Sequence, residues 1–291
     1  MLHRVHADLL LLACAAVWGF AFLFQKSAMM HVGPLLFVAA RGLVATAVLA
    51  PIAIIEHRRA EASVSPRVVT LSVLAGGAFL AGAFLQQSGI KTASVTNTGF
   101  LTALYVVATP FFSFAITGRA IAPVIWGAVA LSFAGTWLLG GGTLGGFGRG
   151  DLLVAISALF WALHVVLVGL AAPLGRPVLF SALQFMVVGV VALSGAFLWE
   201  PVSTAALRAA AVDILYVGML STALTFTVFA VALRATSPTE AAIIISTDTL
   251  FAALGAWLFL GERLTASGVV GAAAILAAIL IVQLALARQR S

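Results

Sequence analysis

Apolar residues fill this chain in blocks of about twenty, separated by short stretches that carry Arg, Gly, Pro or Ser. A helix of that length crosses the hydrocarbon core of a bilayer at a rise of about 1.5 Å per residue. The blocks do not alternate apolar and polar residues, so a lipid-facing barrel is excluded and each block must satisfy its backbone as a helix. They predict spans over 8–26, 34–55, 67–87, 95–117 and 121–140, then 151–171, 177–198, 210–232, 238–260 and 265–287. The punctuation agrees. Ser237-Pro238-Thr239-Glu240 has Ser at the N-cap, Pro at the first helical position and Glu at the third. That is a capping box, which gives Glu240 a structural role, with a substrate contact as the alternative.

The pattern occurs twice. Displaced by 143 positions, the second half falls on the first without a gap: Asp8 meets Asp151, Trp18 meets Trp161, Pro34 meets Pro177, Lys91 meets Arg234, and Gly118 meets Gly261. Five spans is an odd number, so the second copy enters the bilayer from the opposite side. The expected fold is an all-α integral membrane protein of ten transmembrane helices in two inverted five-helix repeats. The repeats occupy 1–140 and 151–291, joined by a Gly-rich linker at 141–150. Inverted repeats are the architecture of secondary transporters, with a substrate site between the halves near the midplane. The linker region holds a formal G-x-G-x-x-G at Gly140, Gly142 and Gly145. No βαβ unit surrounds it, so a flexible connection is the reading.

Composition narrows the class further. With 63% apolar residues, 8% charged and a mean hydropathy of +1.19, the spans leave no stretch for a soluble domain. A net charge of +6 would suggest nucleic acid in a soluble protein. Here the basic residues stand at helix ends, so the bilayer is the expected partner and nucleic acid is not. One set of loops and tails holds Arg4, Arg58, Arg59, Arg67, Arg119, Arg176, Arg234, Arg288 and Arg290; the other holds Lys26, Lys91, Arg149, Arg208 and Arg263. The bias puts both termini in the cytoplasm. The single Cys14 excludes an internal disulfide. Leu11-Leu12-Ala13-Cys14 resembles a lipoprotein cleavage box, but the apolar run continues past it to Phe24, so the cysteine reads as packing.

Polar groups inside spans carry the candidate chemistry, because each is expensive there. Thr98, Thr102, Tyr105 and Thr109 fall at helical spacing and give the fourth span a polar face. That face lines a cavity, or its hydroxyls bond neighbouring helices and their own i−4 carbonyls. The repeat takes Tyr105 to Asp248, the one carboxylate well inside a span. A charge at that depth costs on the order of 2.5–3.5 kcal/mol. Asp248 therefore binds a substrate ammonium, takes up a coupling proton, or pairs with Arg41 in the second span. Trp18 and Phe22 on the first span, and Trp161 and His164 on the sixth, form an amphipathic wall or pack on neighbours. Phe79 on the small-residue third span and Thr225 on the hydroxyl-rich eighth complete the candidate pathway. His164 has no companion at ligand spacing, so neither metal nor other cofactor is expected. Glycines 127, 135, 268 and 271 on the fifth and tenth spans pack internally or form a dimer, which leaves monomer and homodimer both open. No G-x-S-x-G or H-E-x-x-H motif and no intramembrane carboxylate pair is present, so an intramembrane enzyme is only a remote alternative.

Several motifs also carry a resemblance. Trp18-Gly19 followed by Pro34 and Arg41, the run from Gly89 to Asn97, and Leu260-Gly261-Glu262-Arg263-Leu264-Thr265 resemble EamA-type members of the drug/metabolite transporter superfamily. The resemblance covers essentially the whole chain. It implies ten helices in two repeats and a small-metabolite pathway lined by the first, third, fourth, sixth, eighth and ninth. Amino-acid exporters of the superfamily are the most similar, which implies outward transport of neutral or aromatic amino acids across a bacterial inner membrane. Efflux of bulky cationic drugs is the alternative. No basic cluster lies mid-span to hold a phosphate, which argues against sugar phosphates. Two departures stand out: Thr249 replaces a proline common in the ninth helix, and Gly118-Arg119 replaces Gly-Glu-Arg.

Overall fold

The structure, a computed structural model, describes residues 4–59, 63–139, 148–261 and 265–288. Most of the Gly-rich linker and the Glu262-Arg263-Leu264 part of the last motif lie outside the described residues.

The described chain is helical throughout: α1 (Arg4–Ala28), α2 (Pro34–Arg59), α3 (Pro66–Ile90), α4 (Val95–Thr102), α5 (Tyr105–Thr117), α6 (Pro123–Leu139), α7 (Arg149–Ala171), α8 (Pro177–Trp199), α9 (Thr204–Ala209), α10 (Ala211–Leu215), α11 (Thr225–Ala232), α12 (Pro238–Ile245), α13 (Asp248–Leu260) and α14 (Ala266–Arg288). A π-helical segment, Tyr216–Leu224, joins α10 to α11. Proline opens α2, α3, α6, α8 and α12, where its missing N–H would have had no helical acceptor.

Eight stretches among the described residues are long and apolar enough to cross a membrane, and α4 with α5, and α12 with α13, each count as one of them. The fifth and tenth expected spans correspond to shorter apolar helices, Pro123–Leu138 and Ala266–Val282. The outer surface carries large apolar side chains such as Phe197, Phe259 and Leu284, each more than half exposed, as a lipid-facing surface requires. α6 packs along α14, and Gly135 meets the Gly271 carbonyl with no space for a side chain. That contact is internal to the chain.

Three expected spans are not continuous helices. The spans at 95–117 and 238–260 break at Ala103–Leu104 and at Ser246–Thr247, and the span at 210–232 contains the π segment. At both breaks the backbone tightens to i−3 bonds. Val106 N and Val107 N bond the Ala103 and Leu104 carbonyls; Thr249 N and Leu250 N bond those of Ser246 and Thr247. These tighter bonds pair the backbone groups they join within the span, as the bilayer favours. At the second break Ser246, Thr247 and Thr249 also turn their hydroxyls onto carbonyls three residues back, at 2.6–2.7 Å. Such local bonding competes with the regular helix ladder.

Local features recur at the 143-residue offset. α4 and α12 start at Val95 and Pro238 behind Ser94 and Ser237, whose hydroxyls each accept the backbone N–H three residues on. α5 and α13 end on Gly118 and Gly261, both left-handed at φ 67° and 70°, where a Cβ is strained. The Glu56 carboxylate accepts the N–H groups of Val178 and Leu179 at the start of α8. Glu200, one position off the strict offset from Glu56, accepts those of Leu35 and Leu36, the offset partners of Val178 and Leu179, at the start of α2, at 2.9 and 2.8 Å. α2 and α8 lie against each other between these two caps.

Candidate functional site

Where the broken spans meet α1, α2, α3, α7, the π segment and α11, they enclose a cavity. Its interior open to water is about 70 Å³. At roughly 10–15 Å³ per water on that measure, it has room for several waters.

The breaks decide what points inward. Tyr105 is the first residue of α5 and Asp248 the first of α13, so each polar side chain stands at the start of a half-helix and lines the cavity. Gly19 of α1 rests directly on the Asp248 carbonyl, Phe251 and Ala252. That close approach fixes the first turn of α13 against α1.

Asp248 is 5% exposed, and its Oδ1 meets no hydrogen-bond partner among the described residues. The backbone N–H of Thr249 reaches its carboxylate. The Tyr105 hydroxyl and the Trp161 indole nitrogen are likewise buried without a partner among the described residues. Three unsatisfied polar atoms on one cavity wall are unusual, since buried polar groups are nearly always bonded. The alternative of a pair between Arg41 and Asp248 is not seen. Arg41 Nε donates to Thr222 Oγ1 at 2.9 Å, and its guanidinium lies 5.2 Å over the Phe79 ring. The salt bridges of the described residues are both made by Arg4.

Aromatic and amide side chains make up much of the rest of the wall. The Trp18 ring is 4.6 Å from that of Phe226, and its indole N–H donates to the Ser221 carbonyl of the π segment at 2.9 Å. His164 Nε2 is 3.0 Å from Gln184 Oε1, which makes that nitrogen the donor. Gln86 donates to Thr102 at 2.8 Å, and Gln87 donates to Gln25.

Of the candidates from sequence, Trp18, Phe22, Thr102, Tyr105, Trp161, His164, Asp248 and Arg41 line this cavity. Phe79, Thr98 and Thr225 do not. Phe79 is fully buried behind the wall, with its ring 5.0–5.6 Å from those of Trp161, Phe226, Phe185 and His164. Thr98 and Thr225 donate their hydroxyls to the Ser94 and Ser221 carbonyls four residues back, at 2.7 and 2.8 Å. Thr109 does the same with Tyr105. Sequence reasoning left out Gln86, Val165, Phe226, Phe229 and Ile245. The Gln86-Gln87 dipeptide inside a span was the available signal; buried Phe residues in an apolar chain give none.

A cavity lined by polar side chains inside a bundle of helices apolar and long enough to cross a membrane is the setting of a membrane transporter, and the family match that follows gives that class. The model of the EamA-like transporter family matches residues 6–141 and again 148–284, so the chain belongs to that family. An uncharacterized transporter of Archaeoglobus fulgidus is 27% identical over 286 residues, covering 97% of this chain and 87% of the relative. A protein solved by crystallography superposes with a TM-score of 0.77 at 18% identity, covering 99% of this chain and 100% of the other. At that identity it supports the fold alone.

Proposed function

We propose that the protein is a secondary transporter that exports neutral or aromatic amino acids, or similar small amphipathic metabolites, across a bacterial inner membrane. It works by alternating access around the central cavity. Its ten helices form two inverted five-helix repeats, 1–140 and 151–291, with both termini cytoplasmic. The matched breaks, matched glycine ends and reciprocal Glu56 and Glu200 caps support the repeat. The basic-residue bias supports the orientation.

The observation that carries the reading is Asp248: a nearly fully buried carboxylate with an unpartnered oxygen, facing an aromatic-walled cavity at a helix break. A charge at that depth is costly and is offset by a cationic partner, here the ammonium of the cargo. Trp18, Phe22, Trp161 and Phe226 receive the apolar side chain. Rocking of the two repeats about the site then exposes it to each side in turn.

Substrate counterflow in proteoliposomes tests the reading, with a panel of neutral, aromatic, acidic and basic amino acids beside bulky cationic dyes. Exchange of neutral or aromatic amino acids is expected. Exchange of the dyes alone would assign the same cavity to drug efflux.

A further inference from the structure

The cavity holds a second ionisable group without an ion-pair partner among the described residues. Arg41 is 2% exposed and lines the same space as Asp248, yet no carboxylate pairs with it among the described residues. Its one hydrogen bond among these residues uses Nε, which faces Thr222. The four donors on the two terminal nitrogens of a guanidinium are the ones arranged to grip a carboxylate.

The surroundings hold that geometry. Thr222 lies in the π segment and donates its own hydroxyl to the Val217 carbonyl, five residues back, at 2.7 Å. Its oxygen is thereby turned toward Arg41 Nε. The Phe79 face, behind the cavity wall, takes up the flat of the guanidinium. A widened helical turn of this kind is common where a side chain must be aimed at a ligand. A buried cation held on two sides and bare of a counterion is costly unless something supplies the anion.

We infer that Arg41 is the anion anchor of the cavity. It binds the carboxylate of a zwitterionic cargo whose ammonium lies on Asp248, so the site requires both charges on one small molecule. The inference rests on the amino-acid reading above and adds a requirement to it. A cargo with an ammonium but no carboxylate would satisfy Asp248 and leave Arg41 bare.

The test uses the full-length protein in detergent and in liposomes, with three probes: phenylalanine, phenylalaninamide and 3-phenylpropionate. The wild type is expected to bind phenylalanine roughly ten- to a hundredfold more tightly than the amide, the range of a charge-assisted hydrogen bond. Arg41→Gln is expected to abolish the preference, so that phenylalanine and its amide bind alike. A purely structural arginine would instead weaken both probes together and lower the melting temperature. Equal wild-type binding of phenylalanine and its amide overturns the inference without any variant, which covers the case of an Arg41→Gln protein that fails to fold. A folded Arg41→Gln protein that keeps the preference for phenylalanine also overturns it. Wild-type protein that binds none of the three probes overturns the amino-acid reading itself, and this inference with it.

Discussion

Arg4 is the residue whose loss should open one end of the cavity. Its Nε bonds Asp8 at 2.9 Å, one turn along α1, and its NH1 bonds Glu240 at 2.8 Å on α12. These side chains are only 9–13% exposed, so solvent screening is weak. Only the second bond joins two elements. The bond to Asp8 moves with α1 and survives any separation of α1 from α12. The ionic part of what joins α1 to α12 at this end is therefore one charge-assisted bond, about 1.5–3 kcal/mol. At about 1.4 kcal/mol per tenfold, Arg4→Gln should raise the open fraction of this end roughly ten- to a hundredfold. The readout is a cysteine at Thr102 in a Cys14→Ala background, labelled with a water-soluble maleimide from the N-terminal side. Arg4→Gln should speed labelling by that factor, and saturating cargo should slow it. A labelling rate equal to that of the parent would show that Arg4 caps a helix end and latches nothing.

At the positions matched by the offset to Glu240 and Asp8, which the proposed inverted repeat puts at the opposite end, the bond is weaker: Asn97 Nδ2 donates to Asp151 Oδ1 at 3.2 Å. Asn97→Asp should set two carboxylates together and speed labelling of the same cysteine from that other side, with no change from the first. Gly19→Val places a branched side chain on the α13 backbone and should cost about 1–3 kcal/mol, read as a lower melting temperature with loss of transport. Glu56→Gln and Glu200→Gln each weaken a two-bond cap at a helix N-terminus and should lower stability by about 0.5–2 kcal/mol. Because the two caps are equivalent, their effects on the thermal midpoint should be similar; a large effect from one alone would argue against the equivalence.

The lipid-crossing class and most of the cavity were legible from sequence for one reason: a polar side chain in an apolar span has few places to go. Asp248, Tyr105, His164 and Arg41 were visible on that ground alone, and all four line the cavity. For Thr98 and Thr109 the alternative reading holds: a hydroxyl can satisfy itself on its own helix, which a carboxylate cannot. The polar stripe assumed a continuous helix, and the interruption at Ala103–Leu104 resets its phase. Phe226 and Phe229 were hidden because an inward Phe and a lipid-facing Phe look alike in composition. The π segment was also hidden, since it depends on a five-residue contact between Thr222 and Val217 that helical periodicity does not reveal.

The most direct measurement is counterflow of radiolabelled phenylalanine into proteoliposomes by the wild type and by Asp248→Asn. The variant must first be shown to be folded and inserted by its thermal unfolding and elution profile. Removing one partner of a buried, bonded charge pair costs about 2–5 kcal/mol. The account therefore predicts robust exchange by the wild type and at least a tenfold loss in the variant. Undiminished exchange by a well-folded Asp248→Asn protein would contradict it.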